Sequence, residues 1–334
     1  MQPKREQQQS GCVGGSLPLA RHRVGQTSVQ VTELGFGGSG IGNLNASITD
    51  SLAYATVDAA WEAGIRYFDT APHYGLGLSE HRLGRMLSVF PRDGFVLSTK
   101  VGRILETNPS PTGSDLAFGG FAVPDTLVRR FDFTADGVKR SLEGSISRLG
   151  VSRIDIALVH DPDDYVDQAI SEAIPALIDL REQGIVSAVG AGMTQSQALL
   201  RMVREHPVDV VMVAGRWTLL DRSGRELLDA CAERGVSVLV AAPFNSGLLA
   251  SPWPQDGARY DYEPASADLL VQARCLAKRC DEYGITLPQA ALHFPLRHPA
   301  VVSVVVGLQT PQQVRADVAW FAATVPAEFW AGLH

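Results

Sequence analysis

The sequence is poor in the features that mark several classes of protein. Its 334 residues include only four cysteines, Cys12, Cys231, Cys275 and Cys280, which have no metal-ligand spacing and follow no apolar leader. No apolar run is long enough to span a bilayer, and a formal net charge of −7 offers no basic surface to nucleic acid. We therefore expect a cytoplasmic protein with free thiols that acts on a small molecule and binds neither membrane nor nucleic acid.

The composition indicates a globular α/β protein. Hydrophobic residues make up 45% of the chain and charged residues 19%, which is enough core for one large barrel or for two smaller domains. Residues 1–16 are polar and glycine-rich without periodicity, a pattern that predicts a disordered tail. Residues 21–24 and 29–31 flank Gly25-Gln26-Thr27 and predict a short hairpin ahead of the main fold.

From residue 31 onward, β-rich runs alternate with amphipathic helical stretches. No change in composition marks a linker, so the pattern predicts a single (β/α)₈ TIM barrel over residues 17–334 rather than two domains. The predicted strands are Val31–Gly37, Arg66–Ala71, Phe95–Val101, Ile154–His160, Ile185–Gly192, Val208–Gly215, Val236–Ala242 and Val301–Gly307. The predicted helices cover about 50–63, 79–88, 134–149, 167–183, 194–205, 222–234, 266–283, 286–297 and 310–322.

Two connections are longer than simple turns require. Residues 102–132 are rich in glycine, proline and serine, and residues 246–265 carry three aromatic side chains. Both follow predicted strands and therefore lie on the C-terminal face, where barrel enzymes place their chemistry. We interpret them as substrate walls or lids; for the second, plain surface decoration is an equal alternative.

Proton-transferring side chains follow three successive predicted strands. Asp69 and Tyr74 lie in one segment, Arg66–Glu80, while Lys100 and His160 end the next two strands of the barrel. Four such groups at one end of a barrel would surround a single point and could move a proton at a carbonyl oxygen. An ammonium favours the phenolate form of a neighbouring tyrosine, so this set predicts an oxidoreductase with a tyrosine as its acid and base.

Two rival interpretations start from other motifs. Residues 35–40 have the G-x-G-x-x-G spacing of a dinucleotide-binding turn, but that fold needs a helix to open on the third glycine. Residues 41–48 instead predict a loop, with a helix cap at Thr49 or Asp50, so we interpret the glycines as a tight loop beside the active site. His160-Asp-Pro-Asp-Asp164 groups metal-binding side chains, but no motif supplies further ligands, and no metal site is predicted.

Four separated motifs resemble the aldo-keto reductase superfamily. They are Phe68-Asp-Thr-Ala-Pro-His-Tyr-Gly75, Ser98-Thr-Lys-Val-Gly-Arg103, the segment Arg140–Gly150 and Leu158-Val-His-Asp161. The resemblance covers about residues 24–322. Within the superfamily the chain is similar to the aldose 1-dehydrogenase branch, which includes D-threo-aldose (L-fucose), L-galactose and pyridoxal 4-dehydrogenases. The branch features are Tyr74-Gly-Leu-Gly-Leu-Ser-Glu80, His160-Asp-Pro-Asp-Asp164 and Ala214-Gly-Arg-Trp-Thr-Leu-Leu-Asp221.

The resemblance implies a catalytic tetrad of Asp69, Tyr74, Lys100 and His160, and a nicotinamide cofactor. Where superfamily members hold the carboxamide with Ser, Asn and Gln, this sequence has Gly192, Met193 and Ala214. Around them, the implied cofactor-binding residues are Gly37, Pro243, Phe244, Asn245, Gly247, Leu248, Gly307, Gln309, Gln313 and Asp317.

The resemblance also implies a preference for NAD over NADP. NADP-specific relatives place lysine or arginine after the eighth strand to bind the 2′-phosphate, but Gln309 and Gln313 stand at the corresponding positions here. A phosphate facing amides loses charge-assisted hydrogen bonds worth about 1.5–3 kcal/mol each. Arg315 is close in sequence, but its helical spacing should turn it away from the two amides.

Three activities remain open at this point. The first is NAD-dependent oxidation of the anomeric carbon of a free aldose, or of a related cyclic hemiacetal, to a lactone. The second is NADPH-dependent reduction of aldehydes or ketones, and the third is a nucleotide-binding regulatory subunit. For a polar substrate, the candidate contacts near the barrel mouth are His73, Arg103, Asp161 and Trp217. The sequence leaves the identity of the sugar and the oligomeric state open.

Overall fold

The computed structural model describes residues 19–333, so the predicted tail at 1–16 lies outside the described residues. The strands, in chain order, are β1 (Arg21–Arg23), β2 (Gln30–Thr32), β3 (Leu34–Gly37), β4 (Tyr67–Asp69), β5 (Val96–Val101), β6 (Arg103–Thr107), β7 (Leu127–Phe131), β8 (Ile154–His160), β9 (Val186–Met193), β10 (Val210–Ala214), β11 (Ser237–Ala241), β12 (Arg259–Tyr260), β13 (Glu263–Pro264) and β14 (Val301–Gly307).

The helices surround these strands. In chain order they are α1 (Asp50–Glu62), α2 (Leu78–Leu87), α3 (Leu116–Gly119), α4 (Ala135–Leu149), α5 (Val166–Gln168), α6 (Ile174–Glu182), α7 (Ser196–Glu205), α8 (Arg225–Arg234), α9 (Ala267–Glu282), α10 (Leu287–His293), α11 (Pro311–Ala322) and α12 (Ala327–Ala331). Within the described residues, none of these helices combines the length and apolarity that crossing a bilayer requires.

Eight of the described strands close into a parallel barrel in the order β10-β11-β14-β3-β4-β5-β8-β9. This architecture confirms the predicted (β/α)₈ fold. The sequence pattern located the elements well because each buried strand is a continuous apolar run and each helix carries one apolar face. The predicted bounds of two strands, Ile154–His160 and Val301–Gly307, agree with the structure at both ends.

The predicted N-terminal hairpin is present, with β1 and β2 paired antiparallel. Its turn contains Gly25 at a φ of +51°, where a Cβ would lie 2.7 Å from the Asp209 carbonyl oxygen, so the position requires glycine. Val24, Val29 and Val31 are buried against the inward-facing residues of the barrel. The hairpin therefore packs against the barrel interior, next to the strand starts.

The connection after β5 is more ordered than its composition suggests. We predicted a long lid over 102–132, but β6 and β7 pair antiparallel along five residue pairs, and α3 lies between them. Leu44 and Phe121 form an isolated bridge that joins this hairpin to the loop after β3. The second predicted lid also contains a short hairpin, β12 with β13.

The glycine run after β3 is a tight loop, as the late helix start predicted. Thr49 caps α1, its side chain accepting from Leu52 N. Gly42 and Gly75 lie in backbone contact: a Cβ on Gly42 would meet the Tyr74 carbonyl carbon at 2.9 Å, and one on Gly75 would clash with Gly42 O. The glycines therefore let this loop approach the segment that carries Tyr74.

The helix predicted at 167–183 contains a π-helical stretch, residues 169–173, between α5 and α6. Pro175 is the second residue of α6, two positions after this stretch. Because proline has no N–H group and its ring crowds the preceding turn, it disrupts the regular hydrogen bonding of that turn. The local widening of the helix is therefore a consequence of the proline.

Candidate active site

The predicted tetrad residues converge at the C-terminal end of the barrel. Asp69 is the last residue of β4, Lys100 lies near the end of β5, and His160 ends β8. Tyr74 lies in the turn between β4 and α2. Because the strands are parallel neighbours, their ends lie side by side at one face. The side chains of Asp69, Lys100 and His160 are buried.

Lys100 makes hydrogen bonds to two other members of this cluster, Asp69 and Tyr74. Its Nζ donates to Asp69 Oδ2 at 2.6 Å, to the Thr70 carbonyl oxygen at 3.0 Å and to Tyr74 Oη at 3.2 Å. An ammonium has three hydrogen-bond donors, and all three have acceptors here. Burying a charge is costly unless it is paired and hydrogen-bonded, so this arrangement holds a charged lysine against the phenol.

Behind Asp69 lies a part of the network that we did not predict. Ser98 donates from Oγ to Asp69 Oδ1 at 2.6 Å, and Tyr67 Oη lies 3.0 Å from Ser98 Oγ. The two Asp69 oxygens therefore have different partners, Lys100 on one side and Ser98 on the other. The sequence contained a signal: Ser98 precedes Lys100 by two residues on one strand, so both face the same side.

The protonation of Tyr74 follows from a balance of opposing effects. Burial raises the pKa of Tyr74, Lys100 lowers it, and the net result is a pKa of about 12. We expected the ammonium to favour the phenolate; it acts in that direction, but burial outweighs it. For Lys100, burial lowers the pKa, but the interactions with Asp69 and Tyr74 more than compensate and raise it above its ordinary value. The unliganded site therefore holds an ammonium and a neutral phenol.

Two imidazoles line the same space. The ring centroid of His160 lies 5.8 Å from the ring centroid of Tyr74 and 5.7 Å from that of His73. Burial, with Arg103 next, lowers the pKa of both histidines, that of His73 to about 2. Each also has a buried Nδ1 without a hydrogen-bond partner within the described residues. Both side chains are therefore neutral, and each can donate or accept one hydrogen bond.

A charged pair stands beside His160. Arg103 Nη2 donates to Asp161 Oδ2 at 2.8 Å, and the same oxygen lies 3.3 Å from His160 Nε2. Three of the four predicted substrate contacts, His73, Arg103 and Asp161, are thus brought to the tetrad. This edge of the site is polar and suits a hydroxylated ligand.

The β6–β7 hairpin, which lies outside the barrel strands, contacts His73. Arg129 on β7 donates to the His73 carbonyl oxygen at 2.9 Å and forms two 2.6 Å hydrogen bonds with the Asp115 carboxylate. Phe121 packs edge-on against the His73 ring, with centroids 5.2 Å apart. No sequence pattern indicates these contacts, because they depend on how the hairpin folds back over the barrel mouth.

The fourth predicted substrate contact lies elsewhere. Trp217 is 5% exposed, its Nε1 donates to the Pro295 carbonyl oxygen, and its ring packs against Phe294 and His298. Its indole is thus satisfied within the core. The predicted substrate contact is therefore wrong for Trp217, which packs in the core around the barrel and is not brought to the tetrad.

The residues predicted to contact the nicotinamide carboxamide lie at strand ends, on the same C-terminal face of the barrel as the tetrad. Gly192 and Met193 end β9 and Ala214 ends β10, while Gly37 and Gly307 end the adjacent strands β3 and β14. Gly192 also accepts a hydrogen bond from Asp161 N through its carbonyl oxygen. None of these residues carries a polar side chain, so hydrogen bonds to a ligand must come from their backbone or from neighbours.

Asn245 is such a neighbour. Its Nδ2 donates to the Gly215 carbonyl oxygen at 3.4 Å, while its buried Oδ1 has no hydrogen-bond partner within residues 19–333. An unsatisfied buried acceptor is costly, and a ligand amide N–H would satisfy it. The surrounding loop, which holds Pro243, Phe244, Gly247 and Leu248, has left-handed backbone at several positions, among them Gly247 at +97°. Such loops can direct N–H groups at an anion.

The segment after β14 is organised by helix capping. Gln313 Oε1 accepts from the backbone N of Gln309 at 2.8 Å and of Thr310 at 3.1 Å, which forms a capping box at α11. Gln309 Nε2 donates to the Ala46 carbonyl oxygen. Asp317 is buried, has no hydrogen-bond donor in the described chain, and burial raises its pKa to about 7. The unpaired acceptors of Asn245 and Asp317 fit a ligand that carries N–H donors, as a nicotinamide adenine dinucleotide does.

A metal alternative finds no support in the geometry. Over the described part of the chain, no three His, Cys, Asp or Glu side chains are grouped as a metal site.

Comparisons with known proteins agree with this geometry. The Aldo/keto reductase family matches residues 33–334. The chain is 46% identical over 307 residues to a D-threo-aldose 1-dehydrogenase of Pseudomonas sp, covering 91% of this chain and 93% of the relative. It is 36% identical over 332 residues to a pyridoxal 4-dehydrogenase of Microbacterium luteolum, covering 94% and 96%.

A solved structure matches as well. An aldo-keto reductase from Bacillus halodurans, in its holo form, superposes with a TM-score of 0.75 at 26% identity and covers 93% of this chain and 94% of the other. The predicted resemblance and the predicted class, an oxidoreductase acting on CH–OH groups, are confirmed: the chain belongs to the Aldo/keto reductase family.

Proposed function

We propose that this chain is an NAD-dependent dehydrogenase that oxidises the anomeric carbon of a free aldose, or of a similar cyclic hemiacetal, to a lactone. The observation that carries the proposal is the contact of Lys100 with the half-buried phenol of Tyr74 at the barrel mouth, beside the neutral imidazole of His160 and the Arg103–Asp161 pair. The names of the two relatives, a D-threo-aldose 1-dehydrogenase and a pyridoxal 4-dehydrogenase, support the substrate class.

In this proposal Tyr74 is the general base and acid. It takes the proton of the anomeric hydroxyl during oxidation and returns one during reduction. Lys100 stabilises the phenolate, Asp69 holds Lys100 in place, and His160 hydrogen-bonds the reacting oxygen. The chemistry supplied by bound NAD is acceptance of the hydride that leaves the anomeric carbon, together with the positive charge of its ring, which would favour the phenolate as Lys100 does.

The preference for NAD over NADP is part of the proposal. Both predicted contact residues are amides that already make protein hydrogen bonds, Gln313 to the start of α11 and Gln309 to Ala46. Neither offers a positive charge to a 2′-phosphate. Arg315 is exposed on α11 and is the nearest cation in sequence.

The direct test is the formation of NADH, followed by its absorbance, with purified protein at mildly alkaline pH. The panel is L-fucose, L-galactose, D-arabinose and pyridoxal, each with NAD and with NADP. Reduction of NAD with at least one sugar is expected. Inactivity on the whole panel, combined with oxidation of NADPH by simple aldehydes, would assign the chain to the reductases instead. Inactivity in both directions would favour the regulatory alternative.

A further inference from the structure

Asp161 has a left-handed backbone conformation. It directly follows His160, and its φ is +38°, in the left-handed region that is unfavourable for most side chains. Strained backbone of this kind is common at functional sites. The conformation places the carboxylate beside the imidazole, with Oδ2 at 3.3 Å from His160 Nε2.

The hydrogen-bonding capacity of the pair is only partly used. Asp161 Oδ2 accepts from Arg103 Nη2, but within residues 19–333 no protein group donates to Asp161 Oδ1. On the other side, Arg103 is 9% exposed and its buried Nε has no acceptor among the described residues. A carboxylate only accepts hydrogen bonds and a guanidinium only donates them. A hydroxyl group does both and could satisfy each partner.

The position of the pair indicates which hydroxyl this would be. In the proposed reaction the reacting oxygen lies between Tyr74 and His160. A carboxylate oxygen 3.3 Å from the His160 Nε2 is then within hydrogen-bond reach of a substituent on the neighbouring carbon.

We propose that Asp161 and Arg103 together bind the hydroxyl on the carbon next to the one that is oxidised, so that the preferred substrates are aldoses with a free 2-hydroxyl. This inference rests on the proposed function and narrows its substrate class. A 2-deoxy sugar would leave the carboxylate and the guanidinium without their partner, and sites built for a hydroxyl discriminate strongly against analogues that lack it.

The experiment compares sugars with and without the 2-hydroxyl, each on wild type and on a variant of Asp161. Two sugar pairs differ only in the 2-hydroxyl: D-arabinose with 2-deoxy-D-ribose, and L-fucose with 2-deoxy-L-fucose. The ratio of kcat/KM within a pair is measured with NAD for wild type and for Asp161→Asn. Asparagine is the matched replacement because it tolerates left-handed backbone, and Asp164→Asn, exposed in the same loop, controls for the lost charge.

We expect wild type and Asp164→Asn to favour the hydroxylated sugar by about tenfold or more, the effect of one charge-assisted hydrogen bond. In Asp161→Asn the ratio should fall towards one, mainly because kcat/KM for the hydroxylated sugar falls. Equal losses for both sugars would mean that Asp161 only orients His160, and would overturn the inference while leaving the proposed function intact. A wild-type enzyme that oxidises none of these sugars would overturn both.

Because Asp161→Asn could fail to fold, Arg103→Gln provides a second path. It removes the donor half of the pair and should lower the ratio in the same direction. NADH binding, followed by its fluorescence, establishes that each variant retains a folded site. An unchanged ratio in a variant that binds NADH would contradict the inference.

Discussion

The ammonium of Lys100, which is buried, lies 3.2 Å from the phenol oxygen of the half-buried Tyr74. Tyr74 is the proposed acid and base, and the positive charge of Lys100 lowers its pKa. Asp69 keeps the ammonium charged through its 2.6 Å hydrogen bond. The pair therefore determines at what pH the phenol can accept a proton, and the proposed function depends on it.

Replacing Tyr74 with phenylalanine tests the assignment of the base. The variant keeps the ring but removes the hydroxyl that transfers the proton, so we expect turnover to fall by about 100- to 10,000-fold, the usual contribution of general acid–base catalysis. NADH binding, measured by fluorescence titration, should be unchanged. Substantial turnover in a folded variant would show that another group moves the proton.

The pH dependence of oxidation follows from the pKa of Tyr74. Because burial holds that pKa at about 12 despite Lys100, the phenolate fraction grows with pH, and kcat/KM for oxidation should rise from about pH 6 to about pH 10. Neutral His160 adds no ionisation in this range, since burial lowers its pKa. Lys100→Met should shift the rise to higher pH because the ammonium no longer lowers the pKa. A profile that levels off early and is identical in both proteins would contradict this.

Much of this architecture could be predicted from the sequence. The barrel strands were found because buried parallel strands are continuous apolar runs, and the tetrad because Asp69, Lys100 and His160 end such runs. The contacts of Arg129 with His73 could not be predicted, since they join a hairpin to a turn 56 residues away in sequence. Trp217 was misplaced because residues after a strand can point towards the site or towards the helices, and sequence alone does not distinguish the two.

Ser98 should act as a positioning residue for Asp69. Ser98→Ala removes the 2.6 Å hydrogen bond to Oδ1 and frees the carboxylate to turn from Lys100, so we expect kcat to fall about tenfold with KM for NAD unchanged. Tyr67→Phe, which removes only the next hydroxyl in the chain, should cost less. A rise in KM without loss of kcat would point to a role in binding instead.

Gln309 should limit the use of NADP. Gln309→Arg would place a cation near the proposed 2′-phosphate position, so we expect kcat/KM with NADP to rise by about tenfold, the effect of one charge-assisted hydrogen bond. Arg315→Ala is the matched control, since its exposed side chain is expected to face away from the cofactor and its loss should leave the NAD-to-NADP ratio unchanged. A fall in NADP activity in that control would instead identify Arg315 as the phosphate ligand.

The ionisation of Asp317 should lower the stability of the unliganded protein as the pH rises from acidic to neutral. Burial raises its pKa from 3.8 to about 7, so the folded chain holds a proton that the unfolded chain releases. Its contribution to stability therefore falls as pH rises through this window, and the full penalty is present above it. Asp317→Asn removes the penalty and should raise the free energy of unfolding at pH 8 by about 2–4 kcal/mol.

The gain should be much smaller at about pH 5, where the native carboxyl is still protonated. Chemical denaturation of wild type and variant at both pH values measures it, with Asp164→Asn as an exposed control that should show no such difference. Equal gains at both pH values would mean that the asparagine improves packing or hydrogen bonding. The Asp317 carboxyl would then not be the group whose ionisation destabilises the fold.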